Sequence, residues 1–175
     1  MTRRPTLRSL VGLAALSLAG LTPLSRAAAQ DGGIAVGAMA PAVSTLEQLD
    51  GKTFDLSAVV GKQPVVMEFW ATWCPLCRKL EPALQRAREQ YGDRVMFVGI
   101  GVPDNQSPER QRTYIEERKM SGTFVFDRER AAMKAYQVPH TSYVVVLDGS
   151  GKVVYTGVGG DQDIDAAVRR ALPAK

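Results

Sequence analysis

A single Cys-x-x-Cys, Cys74-Pro75-Leu76-Cys77, stands between a run suited to a buried strand and a stretch with helical periodicity, and it holds the only two cysteines of the chain. A structural disulfide joins distant segments, whereas this pair would close a loop of two residues and constrain little. Half of a zinc site is the other use of such spacing. Structural zinc commonly takes four ligands, and beyond this pair the soft and imidazole donors amount to His140. A strand immediately before and a helix immediately after favour redox chemistry.

That context can be read residue by residue. Pro64-Val65-Val66-Met67-Glu68-Phe69-Trp70 is rich in β-branched and aromatic side chains, as for a central strand buried on both faces. From Pro75 to Tyr91, Leu76, Leu80, Leu84 and Ala87 recur at helical spacing, and Gly92 supplies a stop. Cys74 therefore falls at a helix N-terminus, where unpaired N–H groups and the helix dipole favour a thiolate. Pro75 fits the first helical position, which has no amide partner to lose. Cys77 lies one turn on, close enough to attack a mixed disulfide on Cys74. Cys74 is accordingly expected to attack and Cys77 to resolve.

The remainder predicts one domain. Lys52–Leu56 reads as extended and 57–60 as a helical turn. Val95–Ile100 is a second buried strand. Ser107-Pro108-Glu109 opens a charged helix reaching about Met120, with Ser at the N-cap and Pro after it. Thr123–Phe126 is a short strand and Arg128–Tyr136 a short helix. Ser142–Leu147 and Lys152–Thr156 form a hairpin through Asp148-Gly149-Ser150-Gly151, and residues 161–172 close as a helix. The order β-α-β-α, β-α, β-β-α implies an α/β domain with a central mixed sheet flanked by helices.

Residues 1–29 read as a signal peptide. Arg3, Arg4 and Arg8 precede an apolar run from Leu10 to Leu21, and Ala27-Ala28-Ala29 offers a cleavage site. The run is too interrupted for the roughly 20 apolar residues of a spanning helix, although an uncleaved anchor is the alternative. Thr2–Arg8 resembles a twin-arginine signal, but Thr6 departs from that pattern and the general secretory route is favoured. These 29 residues hold four Arg and no acid, which leaves 18 basic and 18 acidic residues beyond them. A nucleic-acid partner finds no support in that neutrality. Residues 30–41, small and Gly-rich, are expected to be a flexible leader, with the domain at 42–175.

Beyond the cysteines, Val65 through Arg78, with its Ala71-Thr72-Trp73-Cys74 segment, resembles the active-site strand and helix start of thioredoxins, in the form typical of their exported TlpA/ResA-like relatives. Pro82 matches the proline that kinks the first helix of that fold. Asn105 to Thr123 and beyond fits the TlpA-like insertion, and the resemblance covers about residues 42–172. It implies a thioredoxin fold and a protein-disulfide reductase, kept reduced by a membrane electron donor and acting in the periplasm or another extracytoplasmic space, with cytochrome c maturation as one setting. No cofactor or metal beyond the Cys74–Cys77 couple is implied, and a monomer is expected.

The resemblance also assigns residues. Val138-Pro139 matches a dipeptide with a cis proline facing the cysteines, which would expose the Val138 backbone to an extended substrate. Glu68, six residues before Cys74, is where thioredoxins keep a buried acid, and burial should raise its pKa so that it can take a proton from Cys77. Nearer relatives often carry Asn at that strand position and Glu three past the second cysteine. Here those positions hold Glu68 and Leu80, and Glu81 is displaced by about 100° around the helix. Glu68 is the favoured carrier. Trp73 and Pro75, beside the nucleophile, are expected to meet substrate. After Pro139, the stretch to Asp148 is about two residues longer than in relatives.

Three other functions use related residues. An oxidase or isomerase is the alternative within the class. A Sco-like copper chaperone could use Cys74, Cys77 and His140, although that family spaces its cysteines C-x-x-x-C. A peroxiredoxin is disfavoured by Ala71, where a Thr is expected three residues before the peroxidatic cysteine.

Overall fold

The structure is a computed structural model that describes Met1 and residues 32–173, so the signal-peptide reading of 1–29 lies, apart from Met1, outside the described residues. Eleven elements follow in order: β1 (Leu46–Gln48), β2 (Thr53–Phe54), β3 (Val65–Trp70), α1 (Pro75–Tyr91), β4 (Met96–Gly101), α2 (Pro108–Glu117), β5 (Thr123–Phe126), α3 (Ala131–Ala135), β6 (Tyr143–Leu147), β7 (Val153–Val158) and α4 (Ile164–Ala171). A short 3-10 turn at Leu56–Ala58 replaces the expected turn at 57–60.

The seven strands form one mixed sheet in the order β2-β1-β5-β4-β3-β6-β7. β3 runs parallel to β4, and β4 to β5, while β6 is antiparallel to β3. Strand alternation divides the core. Val66, Val144 and Val146 meet Leu80, Leu84 and Ala87 of α1 and Ile164, Ala167 and Val168 of α4. On the opposite face Met67, Phe69, Tyr143 and Val145 pack with Leu56 and Tyr136. β3 is buried along its whole length, as a centre strand covered on both faces must be.

Several boundaries move for local reasons. α2 ends at Glu117 because Lys119 takes a left-handed conformation (φ 51°) and the Met120 amide turns back to the Ile115 carbonyl at 3.0 Å. α3 is shorter than expected because Arg130 is left-handed (φ 56°), and the Asp127 carboxylate accepts from the Met133 amide at 2.8 Å.

The flexible leader is corrected over its described residues, 32–41. Residues 34–40 lie along the start of β7: the Gly37 amide donates to the Val153 carbonyl (2.8 Å), the Val153 amide to Ala38 (2.9 Å), and the Ala40 amide to Gly151 (2.8 Å). Ile34 is only 6% exposed, and its amide donates to the Tyr136 carbonyl at 3.0 Å. Gly33 makes this fit possible. It has φ +94°, and a Cβ there would stand 2.1 Å from the Tyr143 hydroxyl oxygen. Nothing in this small-residue segment announces its packing, because its one deeply buried apolar side chain has no periodicity.

Candidate functional site

The loop from Ala71 to Cys74 leaves the C-terminal end of β3 and turns directly into α1. The Cys74 amide donates to the Ala71 carbonyl at 3.1 Å, and the Cys74 carbonyl accepts the first helical bond, from Arg78 at 3.3 Å. Cys74 is thus the N-cap of α1, and its Sγ accepts from the Cys77 amide at 3.1 Å. A disulfide joins the two cysteines, with their Cα atoms 5.3 Å apart. After reduction, the same position would set a thiolate against the helix terminus. Both cysteines are almost wholly covered, at 2% and 5% exposure. The residues around them are not: Trp73 is 39% and Leu76 45% exposed, and Pro75 is exposed as well. The site therefore presents an apolar rim around a shielded sulfur pair.

Glu68 sits in the middle of β3, on the face that Val66 turns toward α1. Its register partners across the sheet are Val144, Gly99 and, through Gly99, Phe124. Gly99 leaves room for the Phe124 ring, because a Cβ there would stand 2.6 Å from it. Glu68 is 4% exposed, and its Oε1 is buried without a hydrogen-bond partner. Burial pushes its carboxyl up to about 8, with Arg88 opposing and Glu81 reinforcing the rise. Arg88 lies across the Phe124 ring at 5.5 Å and the Phe97 ring at 5.9 Å. Burial in turn lowers the pKa of Arg88, while Glu68 and Glu81 hold it up. Cys77, Glu81, Leu84 and Arg88 recur at helical spacing along one stripe of α1, so the resolving cysteine and the acid's charged neighbours share a face. Glu81 belongs to this group: its carboxylate is about one-fifth exposed and 4.0 Å from Arg118.

The expectation at Val138-Pro139 is corrected. No cis peptide occurs among the described residues. The Val138 amide donates to the Met133 carbonyl at 2.9 Å, which closes the end of α3 and leaves that N–H unable to pair with a substrate. Gln137 (φ 51°) and Ser142 (φ 62°) are both left-handed, so the chain turns on either side of Pro139 before it enters β6. The segment still lies at the catalytic end of the sheet, since the Ser142 amide donates to the Phe69 carbonyl at 2.9 Å. Gly32 covers part of Pro139, at 3.3 Å from a Cβ placed on the glycine. His140 is exposed, and no group of three or more His, Cys, Asp or Glu that could hold a metal ion occurs among the described residues.

Two loops grip the catalytic segment from either side, and sequence reading missed the residues that do so. The Trp73 indole N–H donates to the Asp104 carbonyl at 2.6 Å, and the Asp104 carboxylate pairs with Arg130 at 2.5 Å. The Gln106 carboxamide reaches Thr72, Trp70 and Val102. On the other side, Lys79 pairs with Asp161 at 2.6 Å. Gln106 and Asp104 belong to a polar loop with no motif, and their partners Thr72, Trp70, Trp73 and Arg130 are more than 25 residues away in the chain.

The sequence model of the Redoxin family matches residues 35–172. The chain is similar to the thioredoxin-like protein YneN of Bacillus subtilis, 29% identical over 73% of this chain and 74% of that protein. It is also similar to the thiol-disulfide oxidoreductase ResA of Geobacillus thermodenitrificans, 27% identical over 98% of both chains. Among solved structures, a thioredoxin-family thiol:disulfide interchange protein from Chlorobium tepidum superimposes with a TM-score of 0.66 at 26% identity, over 79% of this chain and 98% of that one.

Proposed function

Because this chain belongs to the Redoxin family and is a thiol-disulfide oxidoreductase of the ResA/TlpA-like type with a thioredoxin fold, we propose that it works as an exported reductase of protein disulfides through Cys74 and Cys77. The placement of Cys74 at the N-cap of α1, with Cys77 one turn on, is the observation that carries this reading. In the reduced protein the Cys74 thiolate attacks one sulfur of a substrate disulfide, forms a mixed disulfide and releases the first substrate thiolate. Cys77 then gives its proton to the Glu68 carboxylate and, as thiolate, attacks the Cys74 sulfur. This closes the intramolecular disulfide and releases the second substrate thiolate, so two electrons pass to the substrate. An acid with a pKa near 8 is suited to that proton transfer close to neutral pH.

The exposed Trp73, Pro75 and Leu76 support an apolar contact with an unfolded or extended substrate around the sulfurs. Pro139 precedes β6, whose approach meets the end of β3 through the Ser142 amide and the Phe69 carbonyl. Export rests on the signal-like residues 1–29, and a membrane electron donor would return Cys74–Cys77 to the dithiol. Apocytochrome c is the substrate class the ResA/TlpA-like resemblance favours, with the chain acting as a monomer. Insulin reduction tests the core of the proposal: Cys74→Ser should abolish turnover and Cys77→Ser should accumulate mixed disulfides. Retained turnover in Cys74→Ser would falsify the assigned roles. Adducts trapped on Cys77→Ser in cells would identify the natural substrate.

A further inference from the structure

We propose that Gln106 is a positioning residue for the redox loop, holding the two residues before Cys74 so that its sulfur meets the N-terminus of α1. This rests on the role of Cys74 as nucleophile given above.

The loop has a structural problem to solve where β3 and β4 end. Their parallel pairing stops at Trp70 opposite Gly101, after which one strand turns into the redox loop and the other leads toward α2. Backbone groups beyond the last ladder bond need partners, because a buried N–H left alone costs roughly 1–3 kcal/mol. Gln106 supplies them from one side chain. Its Oε1 accepts from the Thr72 amide at 2.9 Å, and its Nε2 donates to the Val102 carbonyl at 2.6 Å and to the Trp70 carbonyl at 3.3 Å. Trp70 also accepts from the Val102 amide at 3.0 Å, so the carboxamide closes a small ring of bonds across the parting strands. Only a carboxamide can serve here by type, since it accepts and donates at the same reach. A carboxylate would lose the two donors, and an ammonium would lose the acceptor.

Gln106 is itself held from both directions. After it, Ser107 caps α2, accepting from the Arg110 amide at 3.3 Å, and Pro108 is the first helical residue. Before it, Asn105 turns in a left-handed conformation (φ 52°) and Asp104 is tied to Arg130. One rigid loop therefore takes hold of Thr72 through Gln106 and of Trp73 through the Asp104 carbonyl, and these are the two residues immediately preceding Cys74. Thr72 is only 6% exposed, so water does not readily replace the lost partner. Gln106 acts through the backbone, by its bonds to Thr72, Trp70 and Val102. The influence of a helix terminus on a charge falls off within one turn, so a loop free to shift would weaken the hold on the Cys74 thiolate without removing any group that reacts.

The test uses the full chain in the Cys77→Ser background, where Cys74 is the single thiol and no partner protein is needed. Iodoacetamide alkylation is followed against pH with and without Gln106→Met, which keeps the volume and removes every hydrogen bond. The expected result is a several-fold slower reaction at pH 7 and a midpoint moved to higher pH in a protein that remains folded. With both cysteines present, Gln106→Met should lower kcat for insulin reduction and leave KM little changed. Equal alkylation curves would overturn the proposal. Should Gln106→Met not fold, hydrogen exchange of the unaltered protein decides: the Thr72 amide must be protected, and exchange at the rate of an open loop would overturn the proposal. Failure of insulin reduction by the unaltered protein would instead count against the reductase reading, because alkylation does not depend on it.

Discussion

Replacing Glu68 by Gln should make the oxidised protein more stable at pH 8 than at pH 5 relative to the unaltered chain. The carboxyl is buried in β3 with Oε1 unpartnered, and burial moves its pKa from the ordinary 4.5 to about 8. The folded state therefore keeps a proton over a range in which the unfolded chain has released it. Between those values the folded state binds more protons, so the free energy of unfolding falls as pH rises and levels off above about 8. At roughly 1.4 kcal/mol per pH unit, the contribution lost between pH 4.5 and 7 is about 3 kcal/mol. The opposing charge of Arg88 and the reinforcing charge of Glu81 are already included in the direction of the shift. A neutral Gln carries none of this dependence. Urea unfolding from pH 5 to 8, with the Cys74–Cys77 disulfide kept intact so that neither thiol titrates, measures the difference between the two proteins. The curves should diverge by about 3.5 kcal/mol across that window. Parallel curves would refute the buried, protonated Glu68, and with it the source of a proton carrier near neutral pH.

Other expectations follow from separate parts of the structure. The Cys77 resolution step, measured by stopped flow on a preformed mixed disulfide, should quicken with a midpoint near pH 8 and lose that rise in Glu68→Gln. Ile34→Ala should cost about 2–4 kcal/mol in urea unfolding; no change would mean that the 32–41 segment does not pack as described. Leu76→Ser should raise KM for protein disulfides several-fold while leaving the reduction of a small aromatic disulfide unchanged, since it removes an exposed apolar contact and no reacting group. Mass spectrometry of the exported protein should show cleavage after Ala29.

The site's chemistry was legible where it depended on contiguous residues. Cys74, Pro75 and Cys77 declare a capped helix start, and the β-branched run around Glu68 declares a buried strand, because each signal lies within one element. The long periodic helix α1 kept its boundaries for the same reason. β1 went unread because it is only three residues long, and two of them, Glu47 and Gln48, pair with β5 almost eighty positions away. Gln106 gave no signal either, since a carboxamide in a polar loop becomes informative only when folding brings it to Thr72. Val138-Pro139 misled in the opposite way. The dipeptide matches a known pattern, but the left-handed turns at Gln137 and Ser142 and the bond from Val138 to Met133 set a different local path. Glu81 is displaced in the sequence from the position where nearer relatives carry Glu, yet its charge raises the pKa of both Glu68 and Arg88.

The direction of electron flow is the centre of this account, and the reduction potential of the Cys74–Cys77 couple tests it most directly. Equilibration against glutathione or dithiothreitol, with the oxidised fraction counted by thiol labelling, should give a value near the thioredoxin range, about −270 mV. A value near about −120 mV, that of a strong oxidant, would contradict the reductase and assign the same two cysteines to forming disulfides instead.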